Sequence, residues 1–550
     1  MRIDRRKLLA LLGLGAAAPV AAQPAPAPVV AFRHGVASGD PLRDRVVIWT
    51  RASTDAPSAI LQWEVAQDAA FRRVTRKGTV AADAARDHTA KVDVDDLRPG
   101  TNYFYRFRAE EVVSPVGRTR TLPRGKTEEV VLAAASCALM PNGYFNAYQA
   151  IADLPRVDAV IFLGDYIYEL PGGPGGYGMG SPVATARAPD PPGECLSLTD
   201  YRRRLAQYRT DQQLQAAHAR AAWIVSWDDH ETADNSYSLG ANNHQPAEGD
   251  WNTRKAAALK AFYEWMPIRE PRPGEGLAEA AMRSFDFGDL ACLMVMETRL
   301  TARGRQLTYA RDLDGPDGKP DPANFRRKLS DPFRRMIGQA QEAWLGVELD
   351  RSVKAGHAWQ LLAAQVLMAK VVPPDPAKDF TPEELGRLTE GGKRRIAGVA
   401  VPASLGLPYL LDSWDGYPAA RERLYGLFRQ ASARPLVLAG DTHCFWANEL
   451  HDGAGARIAC ELGTTSVTSP GNGDYVPGVD TGAVYARKND EVVFSDQTAK
   501  GFLLLTLTRK AARADMIAVS TIHARAFTTR PVKSFQVLPE GTGVGALTPL

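Results

Sequence analysis

The sequence predicts a layered α/β fold, with central β-sheets flanked by helices, preceded by a small all-β domain. Three observations carry that expectation. Short strand-like runs bounded by turn residues occupy residues 31–123, without a helical pattern between them. Beyond residue 129, continuous apolar runs of the buried-strand kind alternate with amphipathic helical stretches. Four of those later runs end in ligand-type side chains, the place where sheet-based α/β folds build their sites.

The elements are justified in chain order. Residues 1–30 read as an export signal and spacer: Arg5 and Arg6 form a twin-arginine pair, residues 8–18 are apolar, and Val20-Ala21-Ala22 offers a cleavage site. The Ala-Pro alternation before residue 28 suits an extended linker. The twin-arginine route moves folded proteins, which suits an enzyme loaded with metal before export. A periplasmic or extracellular location, and a contact with the twin-arginine export machinery, are therefore expected.

Residues 31–123 hold strand runs at 45–50, 60–65 and 103–107 and are expected to form a β-sandwich. Within it, Leu97-Arg98-Pro99-Gly100-Thr101-Asn102-Tyr103 resembles the tyrosine corner of fibronectin type III domains. Arg124-Gly125-Lys126-Thr127 has Arg120 where a phosphate-binding loop needs its first glycine, and reads as a linker.

Residues 129–525 form the second, layered domain. The runs at 130–135, 159–163, 222–226, 290–295 and 436–439 have the length of buried strands, and 144–154, 200–218 and 254–263 have helical periodicity. Residues 171–192, rich in Gly and Pro, are an insertion expected at the surface or over a site. The closing elements are a strand pair at 501–508 and 514–521, with 526–550 as a tail.

Composition narrows the function. With 45% apolar and 23% charged residues the chain is of ordinary globular type, which excludes a disordered or collagen-like protein. A net charge of +3 over 550 residues argues against nucleic acid or an anionic membrane as a stable partner. Five cysteines are no disulfide framework, although Cys444 and Cys460 are free to pair by sequence. No uncharged apolar stretch of about 18 residues follows the N-terminal segment, so no later membrane span is expected.

The chemistry sits where strands end. The first run leads to Ser136-Cys137, the second to Gly164-Asp165-Tyr166-Ile167-Tyr168, the third to Trp227-Asp228-Asp229-His230-Glu231, and a later one to Gly440-Asp441-Thr442-His443. Brought together, these ends would crowd carboxylates, a thiolate, a phenolate and imidazoles into one cleft, a costly arrangement unless multivalent cations balance it. A serine hydrolase of the Gly-x-Ser-x-Gly type lacks its nucleophile here.

These residues carry a resemblance. Gly164-Asp165-x-x-Tyr168, Asp229-His230-Glu231 and Gly440-x-x-His443 resemble the scaffold of purple acid phosphatases and other binuclear metallophosphoesterases. Longer motifs resemble the PhoD family of alkaline phosphatases and phosphodiesterases: residues 32–41 (Phe32 to Pro41), 205–211, 264–269 and 413–418. The resemblance implies a metallophosphoesterase sandwich holding one ferric ion (Fe3+) and two calcium ions (Ca2+). It implies Cys137, Asp165, Tyr168 and His443 around iron, and Asp229, Asp441, Asp228 and Asn235 as an oxygen-rich set suited to calcium.

The expected activity is metal-dependent hydrolysis of small phosphate mono- or diesters, with a metal-bridging oxygen species attacking phosphorus. His230, with Asp229 beside it, is the candidate for stabilising the phosphoryl oxygens or protonating the leaving group. Arg254 and Arg299 are conceivable phosphate clamps, but read as surface or structural ion-pair partners and stay outside the site. Two alternatives remain: a phospholipase D or nuclease-like diesterase of the same family, and a non-catalytic wall- or polymer-binding protein.

Overall fold

Alternating burial along single strands builds the molecule in layers. In the computed structural model, which describes residues 29–315 and 318–550, Leu132, Ile161 and Ile224 point to one side of their strands, and Ala133, Val160 and Trp223 to the other. Both sides are buried, which is why these strands read as continuous apolar runs. The twin-arginine segment expected at residues 1–30 lies outside the described residues up to residue 28.

Glu129–Ala135, Ala159–Phe162 and Ala222–Val225 run parallel at the centre of a ten-stranded sheet. A seven-stranded sheet faces it, with Ala291–Val295, Trp359–Ala363, Pro435–Ala439 and Arg457–Gly463 parallel at its centre. Between the sheets, Leu132 and Ile161 share a core with Leu293, Leu361, Leu436 and Leu438. Helices Asn146–Ala152, Leu198–Arg209, Gln212–Arg220 and Trp251–Trp265 cover the outer face of the first sheet. Gln339–Lys354 and Pro418–Ala431 cover the second. The order is helix, sheet, sheet, helix.

Three expectations need correction. The helix expected over 200–218 is two helices, because Asp211 accepts from the N–H groups of Gln213 at 2.9 Å and Leu214 at 3.2 Å and so starts a second one. The sandwich of residues 31–123 exists, but it is not self-contained. Val36–Gly39, Val46–Arg51 and Thr89–Val94 belong to the ten-stranded sheet, joined to it by parallel pairing of Ser38 with Ala222 and Gly39 with Trp223. Ser58–Ala66, Val74–Asp83 and Asn102–Ala109 form the opposing sheet, and Val46, Ile48, Leu61, Val65, Tyr105 and Phe107 fill the space between. Tyr103 is buried there, and its hydroxyl accepts from the Arg98 N–H at 2.8 Å.

The third correction concerns residues 526–550, expected as a tail. Thr529–Val537 pairs along Ala512–Val519 and extends the large sheet, burying Phe535 and Val537, with Val544 and Leu547 closing the same core. Deleting residues 526–550 should therefore strip four buried apolar side chains from that core, an upper-bound loss of roughly 6–12 kcal/mol at 1.5–3 kcal/mol each. Thermal unfolding of the truncated chain checks this: an unchanged Tm would contradict it.

No helix among the described residues is long and apolar enough to cross a membrane.

Candidate metal centre

The four ligand-bearing loops of the site each contain a backbone turn of unusual sign. Cys137, Asp165, Asn235, Asp441 and His443 have φ of 59°, 58°, 53°, 61° and 60°, in the left-handed region that non-glycine residues seldom occupy. Such conformations persist only where the surroundings enforce them, and they gather at functional sites. Here the enforcing contacts are visible. The Cys137 and Ala138 N–H groups donate to the carbonyls of Gly164 and Asp165 at 3.1 and 2.9 Å. Glu231 is buried, and its carboxylate accepts from the N–H groups of Asp165, Tyr166 and Asp228 at 3.1, 2.6 and 2.8 Å. A Cβ on Gly164 would lie 2.4 Å from Cβ and N of Asp228, so only glycine lets the two loops pack.

These turns bring donor atoms together in three overlapping groups. Cys137, Asp165 and His443 form one, Asp165, Asp229 and His230 a second, and Asp228, Asp229 and Asp441 a third, with the donors of each group within 4.8 Å of one another. Tyr168 joins the first group, donating to Asp165 Oδ2 at 3.0 Å and lying 3.1 Å from His443 Nε2. Asn235 lies beside the third, where its N–H donates to Asp229 Oδ2 at 2.6 Å. All the expected site residues thus converge. Asp228 differs from the rest in having Arg299 on both of its oxygens, at 2.5 and 3.1 Å.

Arg299 sits outside the set expected from sequence, and the structure places it fully buried at the centre of these carboxylates. It reaches Asp441 at 3.2 Å, Asp412 at 3.5 Å and Asp229 at 3.8 Å besides Asp228. The turn after Ala291–Val295 carries it there: Glu297 accepts from the N–H groups of Arg299 and Leu300 at 2.9 and 2.7 Å and winds the chain inward. Arg254, by contrast, pairs with Glu194 at 2.6 Å and Glu248 at 3.3 Å, as an ion-pair partner. Glu169, next to Tyr168, is the other residue absent from that set. It is buried, faces His230 Nδ1 at 2.7 Å, and accepts from the Asp234 N–H at 2.7 Å.

The electrostatics test whether cations fit. Burial pushes the pKa of the Cys137 thiol, the Tyr168 phenol and the Asp165 and Asp441 carboxyls well above their ordinary values, and neighbouring anions add to the rise. Burial works the same way on Asp229, but Arg299 and His230 outweigh it and hold that carboxyl below the usual range. Burial lowers His443 to about 4, so its imidazole is neutral. Its Nδ1 lies 2.9 Å from the Pro470 carbonyl, which only accepts; Nδ1 therefore carries the proton and Nε2 is left as a ligand atom. A thiol, a phenol and carboxyls that resist ionisation until a positive charge arrives, with a neutral imidazole among them, are the donor chemistry of a metal site.

His230 behaves oppositely. Burial disfavours its imidazolium, yet Glu169, Asp229 and Asp165 carry its pKa well above the ordinary value. Of these, Asp229 and Asp165 belong to the donor groups, as does His230 itself, whereas Glu169 belongs to none of the three.

The groups open into a cleft of about 640 Å³, lined among others by Asp165, Asp229, His230, Asn235, Asp441 and His443. Tyr177, from the Gly- and Pro-rich insertion at 171–192, also lines it, so the insertion does flank the site. Cys137, Tyr168, Asp228 and Arg299 are not among the cleft-lining residues. All five cysteines are unbridged and buried: Cys444 contacts Gln497 and Cys460 the Gly545 carbonyl.

Comparison with known proteins places the chain as a whole. A family model described as PhoD-like phosphatase matches residues 132–516, and one described as its N-terminal domain matches 17–123. The chain is 35% identical over 499 residues to alkaline phosphatase D of Bacillus subtilis (strain 168), covering 88% of this chain and 77% of that protein. The solved structure titled "Structure of PhoD" superposes with a TM-score of 0.76 at 31% identity, covering 95% of this chain and 93% of that one. The chain belongs to the PhoD-like phosphatase family.

Proposed function

We propose that this protein is an exported, metal-dependent phosphoester hydrolase: an alkaline phosphatase with phosphodiesterase activity. The observation that carries the reading is the convergence of Asp165, Asp229, Asp441 and His443 on one cleft, with Cys137 and Tyr168 behind its wall in contact range of Asp165 and His443, and the His230–Glu169 pair beside them. The helix–sheet–sheet–helix order supports assignment to the metallophosphoesterase sandwich, and the Tyr103 hydrogen bond supports a fibronectin-III-like N-terminal unit. The domain plan is a sandwich at 31–123 sharing its second sheet with the catalytic unit, which runs from 129 through the strand Thr529–Val537.

Cys137, Asp165, Tyr168 and His443 would hold the more tightly bound metal, which the family resemblance implies to be Fe3+. Asp229, Asp441 and Asn235, with Asp228 behind them holding Arg299, would hold Ca2+. When bound, such cations neutralise the phosphoester's charge and lower the cost of making a hydroxide nucleophile near neutral pH. The protein's own part is to orient and to move a proton. Glu169 fixes His230 Nδ1 and favours the protonated ring, which leaves Nε2–H, 3.8 Å from Asp234 Oδ1, at the cleft to donate to a phosphoryl oxygen or the leaving alcohol. Asp229 accepts from the His230 N–H at 3.1 Å and anchors the turn that carries the ring.

Glu169→Gln tests this division. It should lower activity about 10- to 100-fold, as loss of an orienting partner does. Removing the carboxylate lowers the His230 pKa, so the alkaline limb of the pH–rate profile should move to lower pH. Release of 4-nitrophenol from 4-nitrophenyl phosphate and its bis-ester reads both effects. A metal-loaded wild type that cleaves neither ester would refute the assigned activity.

Export by the twin-arginine route rests on Arg5 and Arg6. Replacing both by Lys should leave the chain in the cytoplasm with its N-terminal segment uncleaved. Mature protein in the periplasm of that variant would overturn the route.

A further inference from the structure

Beside the metal-lined cleft lies a second cavity of about 350 Å³. The two share Arg395, Tyr409 and Asn472 in their walls, so they adjoin. Their chemistry differs. The cleft wall mixes carboxylates, amides and imidazoles with Tyr177, Leu410, Trp446 and Tyr475, whereas the annex, lined by Phe380, Ile396, Val399, Val476 and Tyr485, has no carboxylate or imidazole and only Arg394 and Arg395 as charged groups. Phe380, Ile396 and Val476 are buried members of one small hydrophobic cluster, which ties the annex wall to its own packed core. At the boundary, the Arg395 guanidinium lies 5.2 Å over the Tyr475 ring, and Tyr475 itself lines the cleft. A polar chamber that holds charge, joined to an apolar one through a stacked cation, matches a ligand with an anionic head and an apolar arm.

We propose that the annex is an ester-arm subsite: it takes the aryl-sized apolar alcohol portion of a phosphoester whose phosphoryl group lies in the cleft. This rests on the phosphoester reading above and names the substrate class within it. Three features select this occupant. The annex adjoins the phosphoryl chamber across Arg395, Tyr409 and Asn472, within reach of one ligand that passes these side chains. Its size suits a ring or a short branched alkyl group and not a pair of long acyl chains. Arg395 stands where it meets either the anionic head or the face of an aryl arm.

Phosphonates test this without turnover, because their carbon–phosphorus bond is not a substrate bond. Methylphosphonate and phenylphosphonate are titrated calorimetrically into the full-length, metal-loaded protein. Phenylphosphonate should bind at least about tenfold tighter, the low end of what one extra methylene earns in an apolar pocket. Val399→Trp, which plugs the half-buried wall of the annex, should erase that advantage and leave the methylphosphonate Kd within about twofold. Ile396→Ala, which enlarges the annex, should favour 1-naphthylphosphonate over phenylphosphonate relative to wild type.

Equal wild-type affinities for the methyl and phenyl compounds, with 4-nitrophenyl phosphate still hydrolysed, would overturn the subsite and spare the phosphoester reading. Failure of both phosphonates to bind, with no ester hydrolysed, would overturn both. If Val399→Trp also weakens methylphosphonate, the Ile396→Ala ratio decides, and an unchanged phenyl-to-naphthyl ratio refutes the proposal.

Discussion

Arg299→Leu should destabilise the metal-free protein by about 3–5 kcal/mol near neutral pH, the usual loss when one member of a buried charge cluster is removed. The side chain is fully buried and touches Asp228, Asp229, Asp412 and Asp441, so its removal leaves four carboxylates without their shared cation. For a unit of roughly 400 residues, per-residue unfolding entropies convert this into a Tm drop of about 5 °C. Three features separate the electrostatic account from lost packing. Added divalent cation should restore part of the lost stability, since it supplies positive charge to the same oxygens. Unpaired buried carboxyls have pKa values raised above their unfolded ones, so the deficit should be largest above the carboxyl range and shrink as pH falls and they protonate. Arg299→Lys should recover only part, because an ammonium does not bridge both Asp228 oxygens as the guanidinium does. A loss that ignores both pH and added cation would sink the electrostatic account. Activity should fall about 10- to 100-fold even with metal present, since the ligand carboxylates lose their orienting partner.

The contrast between Arg299 and its neighbours shows which parts of the site are legible in sequence. Cys137, Asp165, Asp229, Asp441 and His443 each follow an apolar run within a few residues, and a strand that ends in a ligand-type side chain delivers it to the same edge as its parallel neighbours. The convergence of Cys137, Asp165 and Asp229 is therefore readable from local pattern, whereas Asp441 and His443 come from the seven-stranded sheet and join them through the packing of the two sheets. Arg299 also follows a strand, but its partners come from three other segments, and an arginine in a turn carries no local sign that it is buried. Glu169 is hidden in a different way. It extends the motif that ends at Tyr168, yet only the fold brings His230 to 2.7 Å from it. Glu231 is the instructive middle case: it belongs to the visible Asp-Asp-His-Glu run, but its role in capping three backbone N–H groups depends on the packing of the Gly164 loop.

The same logic explains the fold. The parallel strands are visible because both of their faces are buried. The strands Val36–Gly39 and Thr529–Val537 are hard to place for a topological reason. Val36–Gly39 pairs with Ala222–Val225, nearly two hundred residues away, and no periodicity reports such a partner. Thr529–Val537 alternates Phe535 and Val537 with polar residues only over its second half, while Thr529 to Pro531 are exposed and look like the start of a tail. Local chemistry declares donor types and strand ends. Long-range pairing decides which domain boundary is real.

The two donor groups should part company under chelation. Asp229, Asp441 and Asn235 offer only oxygen atoms and line the open cleft, whereas Cys137 and Tyr168 lie off the cleft wall and add a thiolate and a phenolate. Oxygen-only sites exchange hard divalent ions readily, and a thiolate–phenolate set holds a softer or more highly charged ion tightly. A calcium-selective chelator should therefore abolish hydrolysis of 4-nitrophenyl phosphate while iron content stays constant, and calcium should restore activity. Asp229→Ala should copy the chelated state and resist rescue, because the oxygen that calcium needs is gone. Cys137→Ser should do the reverse: iron and its phenolate charge-transfer colour should be lost, while far-ultraviolet circular dichroism shows the fold retained. His230→Ala should keep both metals and lose roughly 10²- to 10⁴-fold in turnover, the span associated with a positioned proton donor. Metal analysis beside the rate distinguishes all three variants. Full activity after verified calcium removal would refute the division of labour, and loss of iron from Asp229→Ala but not from Cys137→Ser would invert it.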